Sequence, residues 1–181
     1  MASRLIDRTS RSPLRFGIVF ILAFAILMGA FEASRDSSFE RCVVEGLILT
    51  PTTAIINTVT PAEQVTLAGR TLMAPDGANL RVTRGCEGVE MFLLLIAAIV
   101  AFPASPRRRL RGLLEGAFLA YVLTVARLMT LHYVLRHAPQ AWEALHGLIL
   151  PLAPIALLSL YFLHWTAAPT TTSGGHAAHA T

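Results

Sequence analysis

The chain of 181 residues contains no lysine, only two cysteines and few charged residues of any kind. Charged residues make up 14% of the chain and hydrophobic residues 54%, whereas a soluble domain carries about a quarter charged residues. This composition excludes an ordinary soluble domain and indicates a single membrane-embedded unit. Two cysteines without a Cys-x-x-Cys pair exclude a disulfide scaffold. No stretch resembles a nucleic-acid-binding motif, so no nucleic acid partner is expected.

Long apolar runs predict the fold class, an all-α polytopic membrane protein with four transmembrane helices. The first run, residues 16–33, is interpreted as an uncleaved span, although a cleaved signal peptide also fits its basic start and apolar core. Three further spans are predicted at residues 88–104, 113–135 and 145–165. Two prolines in the last span are expected to bend it.

Residues 34–87, between the first and second spans, are predicted to form a small helical and β segment outside the membrane. Apolar residues at helical spacing over Phe39–Ile56 predict an amphipathic helix, interrupted at Pro51, which could lie along the membrane surface. Further along, apolar and polar residues alternate on both sides of the turn signal Pro75-Asp76-Gly77. This pattern predicts a small β-meander that leads directly into Cys86.

The arginines, which are all 15 basic residues of the chain, cluster at the ends of the spans. Four lie in residues 1–15 and four in the loop 105–112, and the positive-inside rule assigns both segments to the cytoplasm. Residues 34–87 and the loop 136–144 then face outside, although the first of these also contains five arginines. The tail, residues 166–181, is predicted to be disordered and cytoplasmic, and its two histidines are not assigned to a metal.

Cys86 lies where the chain enters the predicted second span. A thiol at the start of a helix is favoured as thiolate by the helix dipole and by the unpaired backbone N–H groups there. Glycines at positions 85 and 88 leave the sulfur sterically open. The motif therefore predicts a nucleophile, and the alternative is a small residue packed at a helix start.

Two further polar residues fall on the same side of the membrane as Cys86. Arg127 precedes Arg136 by nine residues, which places it roughly 13 Å below the outer boundary, where a charged residue is a functional candidate. His146 opens the predicted fourth span. We expect the thiolate to attack a carbonyl carbon and the imidazole to move the proton. The guanidinium would stabilise the thiolate, the oxyanion or a substrate group.

Other residues compete with this set or support it. The spacing does not choose between His146 and either His132 or His137 as the base. Glu90, taken as one helical turn below Cys86, is expected to share its face. It could orient the arginine or the histidine, or simply form an ion pair with the arginine.

The segment Gly85 to Glu90, with the span that ends Ala101-Phe102-Pro103-Ala104, resembles the exosortase/archaeosortase family, most closely the short bacterial exosortases of the H type. Val125-Ala126-Arg127-Leu128 is similar to the family's arginine motif, and Pro139 to His146 to its Pro-x-x-Trp/Phe-x-x-x-His pattern. The resemblance covers residues 82–165 well. The family commonly has asparagine three residues before the arginine. Thr124 stands there in this chain, and it can hydrogen-bond but cannot offer both amide groups.

The resemblance implies a cysteine transpeptidase or endopeptidase in the bacterial inner membrane, with its active site facing the periplasm. The catalytic residues would be Cys86, Arg127 and His146, supported by Glu90 and Thr124, with no metal and no cofactor. Its partners would be the lipid bilayer and exported proteins that carry a C-terminal motif, transmembrane helix and basic cluster. The enzyme would cleave near the motif and pass the new C-terminus to a surface acceptor, which the resemblance does not identify.

Two other functions fit a small membrane protein with an outward cysteine. A quinone-linked thiol oxidoreductase needs a second cysteine that exchanges with the first. A non-catalytic assembly factor needs neither Cys42 nor Cys86. Cys42 belongs to the amphipathic stretch and is expected to be dispensable. Replacing Cys42 and Cys86 separately therefore discriminates the three functions.

Overall fold

The computed structural model describes residues 3–167, with side chains from Pro13 onward, and it is mostly helical. Residues 168–181 of the predicted tail lie outside this part of the chain. The elements in chain order are α1 (Ser3–Ala33), α2 (Ser38–Val59), a 3₁₀ turn (Pro61–Glu63), β1 (Thr66–Ala68), β2 (Thr71–Met73), β3 (Asn79–Arg81), α3 (Val89–Ala101), α4 (Pro106–His137) and α5 (Pro139–Ala167). The predicted fold class, helical and polytopic with a small sheet between helices, is confirmed.

Four of the described helices, α1, α2, α4 and α5, are long and apolar enough to cross a membrane. The number of candidate spans agrees with the prediction of four. Their identity differs, because α2 is long and apolar enough and α3 is not. The α3 helix has 13 residues, whereas a span needs about 20. It ends at Ala101 because Phe102 adopts an extended conformation, as expected before Pro103.

Both ends of α2 are tied to one end of the bundle, where α1 and α4 finish and α3 begins, called here the Cys86 end. Near its start, Glu40 forms an ion pair with Arg70 of the β1–β2 turn. Near its end, the Asn57 side chain both donates to and accepts from the backbone of Val65, at 2.8 Å each. These contacts fix α2 as a helix that runs across the Cys86 end.

Prolines account for two irregular stretches in the long helices. A π-helical stretch at Cys42–Leu49 in α2 and another at Leu145–Ile149 in α5 each end two residues before a proline, Pro51 and Pro151. Proline has no N–H to donate, and its ring clashes with the carbonyl four residues earlier, so the wider π turn accommodates it. Pro51 therefore does not interrupt α2, contrary to the prediction, because it lies in the first turn after the π stretch.

The three-stranded antiparallel sheet, in the order β1-β2-β3, packs on the last turns of α4. Leu72 and Leu80 of the sheet share a buried core with Leu128 and Leu131 of α4. The predicted turn at Pro75-Asp76-Gly77 joins β2 to β3, and Gly77 adopts a φ of +85° there. Because the sheet is fixed against α4, it also fixes where the chain goes after β3, which is the loop that carries Cys86.

Candidate active site

The Cys86 loop, residues 82–88, begins with a tight turn. The Cys86 N–H donates to the Thr83 carbonyl at 3.0 Å, and Gly85 at the third position of this turn has a φ of +82°. A glycine is favoured there because a positive φ is strained for other residues. The Thr83 hydroxyl lies 3.7 Å from the Cys86 Sγ. The turn thus presents a half-buried thiol with a hydroxyl donor beside it.

Gly88 ends the loop and caps α3 with a φ of +77°. Cys86 therefore lies two residues before the cap rather than in the first helical turn, and the helix-dipole argument for its thiolate is weaker than the sequence suggested. Gly88 also lies directly against Thr124 of α4. A Cβ at position 88 would stand 3.0 Å from the Thr124 Cγ2 and closer still to its Oγ1. The loop is therefore seated on the helix face that carries Thr124 and Arg127.

His146 is the histidine that meets the thiol. Its Nε2 lies 3.5 Å from the Cys86 Sγ, and its side chain is half-buried. The ring stacks on Trp142, one turn earlier in α5, with centroids 4.9 Å apart and planes 7° apart. His146 lies in the π-helical stretch before Pro151, a kind of irregularity that is frequent at functional sites.

The two competing histidines belong to a separate polar network around Glu63 of the 3₁₀ turn. The buried Glu63 carboxylate contacts His132 Nε2 at 2.9 Å and His137 Nε2 at 3.0 Å, and it accepts a third contact from Arg136. Arg136 also pairs with Asp76 at 2.9 Å. This network ties the 3₁₀ turn and the sheet to the end of α4, so a structural role accounts for both histidines.

Arg127 is a buried cation, with only 6% of its surface exposed. Its Nε has no hydrogen-bond partner, and within residues 13–167 no carboxylate lies within ion-pair distance of its guanidinium. A buried charge without a partner is costly, and such a cost is typical of sites that stabilise an anion during a reaction. Thr124, one turn earlier, uses its hydroxyl to donate to the Ala120 carbonyl at 2.9 Å.

Glu90 and Cys42 lie apart from these contacts. Glu90 is in the first turn of α3 and lines an apolar groove of about 350 Å³ between α1, α3 and α5. Since Cys86 precedes the helix, the two residues are not one helical turn apart. Among the described residues, Glu90 forms no hydrogen bond or ion pair with Arg127 or His146. Cys42 and Cys86 are both free thiols, and Cys42 is exposed on α2.

Sequence reasoning assigned no role to Thr83 or Trp142, although both touch the Cys86–His146 pair. Trp142 belongs to the Pro-x-x-Trp/Phe-x-x-x-His pattern, and its spacing of four from His146 is the signal for a stacked pair on one helix face. Thr83 carried no such signal, since its position depends on the turn at Gly85.

The fold and the site together define a multi-pass membrane protein with a Cys–His pair at one end of its helical bundle. The model of the family described as Transmembrane exosortase (Exosortase_EpsH) matches residues 12–160, and the chain therefore belongs to this family. Membership implies a sorting-signal transpeptidase of the cysteine type, with substrates that carry C-terminal sorting signals. No curated protein and no solved structure matches the chain.

Proposed function

We propose that this protein is a membrane cysteine transpeptidase that cleaves C-terminal sorting signals of exported proteins and transfers the new C-terminus to a surface acceptor. The observation that carries the proposal is the distance of 3.5 Å between Cys86 Sγ and His146 Nε2. Nucleophilic catalysis requires a nucleophile and a base within hydrogen-bond reach of each other. It also requires a third group that orients the base. Here the third group is the indole of Trp142.

The proposed reaction has two acyl-transfer steps. His146 takes the thiol proton, and Cys86 Sγ attacks the carbonyl carbon of the scissile peptide bond to form a tetrahedral intermediate. The C–N bond breaks as His146 gives the proton to the leaving amine, and a thioester on Cys86 remains. An acceptor nucleophile then loses its proton to His146, attacks the thioester carbon and releases the thiol. Attack by water instead of the acceptor gives hydrolysis.

Arg127 is the proposed stabiliser of negative charge in both steps. Its guanidinium is buried and has no carboxylate partner among the described residues, so it is free to meet the oxyanion or a substrate carboxyl group. Thr124, on the same face, contacts the loop two residues from Cys86. A preorganised donor at an oxyanion contributes about a hundredfold or more to kcat.

The Cys86 end is proposed to face the periplasm. The supporting feature is the position of Arg107, Arg108, Arg109 and Arg111 at the start of α4, which is the opposite end of the bundle because α3 separates them from Cys86. By the positive-inside rule, this arginine cluster is cytoplasmic. An exported substrate anchored by a C-terminal helix would then present its motif on the Cys86 side.

The test is a processing assay in membranes. The chain is co-expressed with an exported reporter that ends in a candidate motif, a transmembrane helix and a basic cluster, and the reporter mass is followed. Wild type is compared with Cys86→Ala and with Cys42→Ala at matched expression. We expect loss of the reporter's C-terminal segment in wild type and Cys42→Ala, and none in Cys86→Ala.

The product separates the possible chemistries. An added mass on the new C-terminus indicates transfer, and its absence indicates hydrolysis. Processing that survives in Cys86→Ala would refute the mechanism, while a need for both cysteines would favour the oxidoreductase. Equal function of both variants would favour an assembly factor.

A further inference from the structure

An apolar groove of about 460 Å³ opens beside the Cys86 loop, between α1, α2, α3 and α4. It is called here the Glu87 groove. Phe31 of α1, Leu47 of α2 and Leu93 of α3 are among the side chains that form its walls. Along α3 the lining runs from Val89 to Ile96, which corresponds to about 10 Å, or two helical turns. The groove is thus long enough for one face of a helix to lie against it.

Among the described residues that line this groove, the one carboxylate is Glu87, the residue after Cys86. Its side chain is only 1% exposed. One oxygen, Oε1, accepts a hydrogen bond from Arg70, but Oε2 has no partner. A buried carboxylate oxygen without a donor is costly, and such a group calls for an explanation by a ligand. The ligand must supply N–H groups or positive charge at the head of an apolar surface.

We propose that the Glu87 groove binds the transmembrane helix of the substrate, and that Glu87 caps the N-terminus of that helix. The proposal rests on the proposed function, since it names the surface that holds the substrate of that reaction. A helix that enters the membrane from the Cys86 side has its N-terminus beside Glu87. Its first four N–H groups lack partners within the helix, and its dipole is positive there. Glu87 is therefore a positioning residue, not a catalytic one.

The position of Glu87 in the chain explains why capping matters for cleavage. Cys86 and Glu87 are adjacent in the chain. A substrate helix whose N-terminus is held at Glu87 therefore places the residues before that helix at Cys86. These are the residues of the cleavage motif. A lipid acyl chain also fits an apolar groove, but it carries no N–H groups and leaves Oε2 unpartnered. The observations therefore favour a peptide helix over a lipid acyl chain as the occupant.

The charge around Glu87 supports the same occupant. Burial raises the pKa of the Glu87 carboxyl, and the nearby carboxylates Glu90 and Glu40 raise it further. The positive charges of Arg70 and Arg35 lower this pKa but do not cancel the rise. Backbone N–H donors favour the ionised form, so a docked helix end would lower this pKa again. Helix binding is thus linked to loss of a proton from Glu87.

The experiment is disulfide cross-linking in membranes with a probe that does not depend on the unknown motif. The groove walls are apolar and Glu87 meets backbone groups, so a generic helix is a valid ligand. The probe is an exported reporter that ends in about 20 Leu and Ala residues and a C-terminal Arg cluster. It carries a single cysteine at the fifth helical residue, the depth of Leu93. The chain carries Cys42→Ser and Cys86→Ala, with either Leu93→Cys or Leu94→Cys, and thiols are oxidised with copper phenanthroline.

The two cysteine positions form a matched pair, because they lie at the same depth of α3 and face different grooves. Leu93 lines the Glu87 groove, and Leu94 lines the groove that contains Glu90. We expect the probe to cross-link at Leu93→Cys at least fivefold more than at Leu94→Cys. Adding Glu87→Gln should lower the yield roughly fivefold, the effect of losing a charge at a helix N-terminus. Glu40→Gln also removes a carboxylate partner of Arg70, but should not lower the yield.

Each contrary result overturns the proposal. Equal yields at the two positions show that the groove does not select the helix, and no cross-link at Leu93→Cys shows that the helix does not occupy the groove. Equal losses in Glu87→Gln and Glu40→Gln show that Glu87 acts only through Arg70. Every variant lacks Cys86, so the result does not depend on catalysis. Processing without cross-linking would refute this proposal alone, and cross-linking without processing would refute only the proposed function.

Discussion

Gly88→Ala is the substitution for which the structure gives the sharpest prediction. Two costs arise at this position. The backbone φ of +77° is unfavourable for any residue with a Cβ, and the added Cβ would stand 3.0 Å from the Thr124 Cγ2 and closer still to its Oγ1. Thr124 is buried on α4 and has little room to move. We therefore expect the Cys86 loop to lift from α4.

Gly85→Ala separates these two costs. Gly85 has a similar φ of +82°, but nothing lies within 4 Å of a Cβ added there. The left-handed conformation costs each variant about 1–2 kcal/mol. Overpacking against Thr124 adds about 1–3 kcal/mol to Gly88→Ala alone. The difference between the two variants therefore measures the contact between the loop and α4.

The assay is thermal unfolding in detergent, followed by helical circular dichroism. Gly88→Ala should unfold several degrees below Gly85→Ala, since about 1 kcal/mol corresponds to roughly 2–4 °C for a chain of this size. Thr124→Ala, combined with Gly88→Ala, should recover most of that difference in a double-mutant cycle. Equal melting of the two glycine variants, or a cycle without coupling, would refute the close packing of Gly88 on Thr124.

The candidate site and the Glu87 groove support four further tests. Trp142→Ala should lower the kcat of processing roughly two- to tenfold with little change in KM, because a ring stack contributes about 0.5–1.5 kcal/mol to the position of His146, and Trp142→Phe should restore it. Arg127→Lys should lose about a hundredfold in processing rate, since lysine keeps the charge but not the planar fork, and near-normal turnover would reduce Arg127 to a counter-charge. Cys42→Ser should process its substrate at the wild-type rate, and a loss would contradict the exposed, unpaired position of that thiol. Cross-linking of the helix probe should decline as the pH falls through the raised pKa of Glu87 and stay constant above that pKa. The reason is that the complex binds fewer protons than the free groove. A pH profile that Glu87→Gln leaves unchanged would contradict this linkage.

The sequence supplied the residue types of the candidate site but not all of their neighbours. Cys86, Arg127 and His146 stood out because each is polar and lies at or within an apolar run. The choice among His146, His132 and His137 was open, since all three fall near the same end of the bundle. The contacts with Glu63 decide where His132 and His137 lie, and Glu63 is more than 60 residues away from them in the chain. No local pattern contains that information.

Local geometry was the other limit on prediction. The argument for Glu90 assumed that α3 begins at Cys86, so that residues four apart share a face. Gly88 adopts a left-handed conformation instead and delays the helix to Val89. Hydrophobic periodicity defines where a helix exists but is imprecise at its ends, and a cap of this kind depends on packing against Thr124. The same holds for the π stretches, which prolines cause but periodicity does not reveal.

The segment between α1 and α3 supports the loop that carries Cys86. A 13-residue α3 is too short to hold its own first residues at the membrane boundary by spanning alone. The Cys86 loop is held instead from the sides, by the sheet and α4 through their shared core and by Arg70, which joins Glu87 to Glu40 of α2. The Cys86 loop is thus fixed by the segment between α1 and α3, while His146 and Arg127 lie on the long helices α5 and α4. The 3.5 Å contact between Cys86 and His146 therefore depends on this segment as well as on the residues that make it.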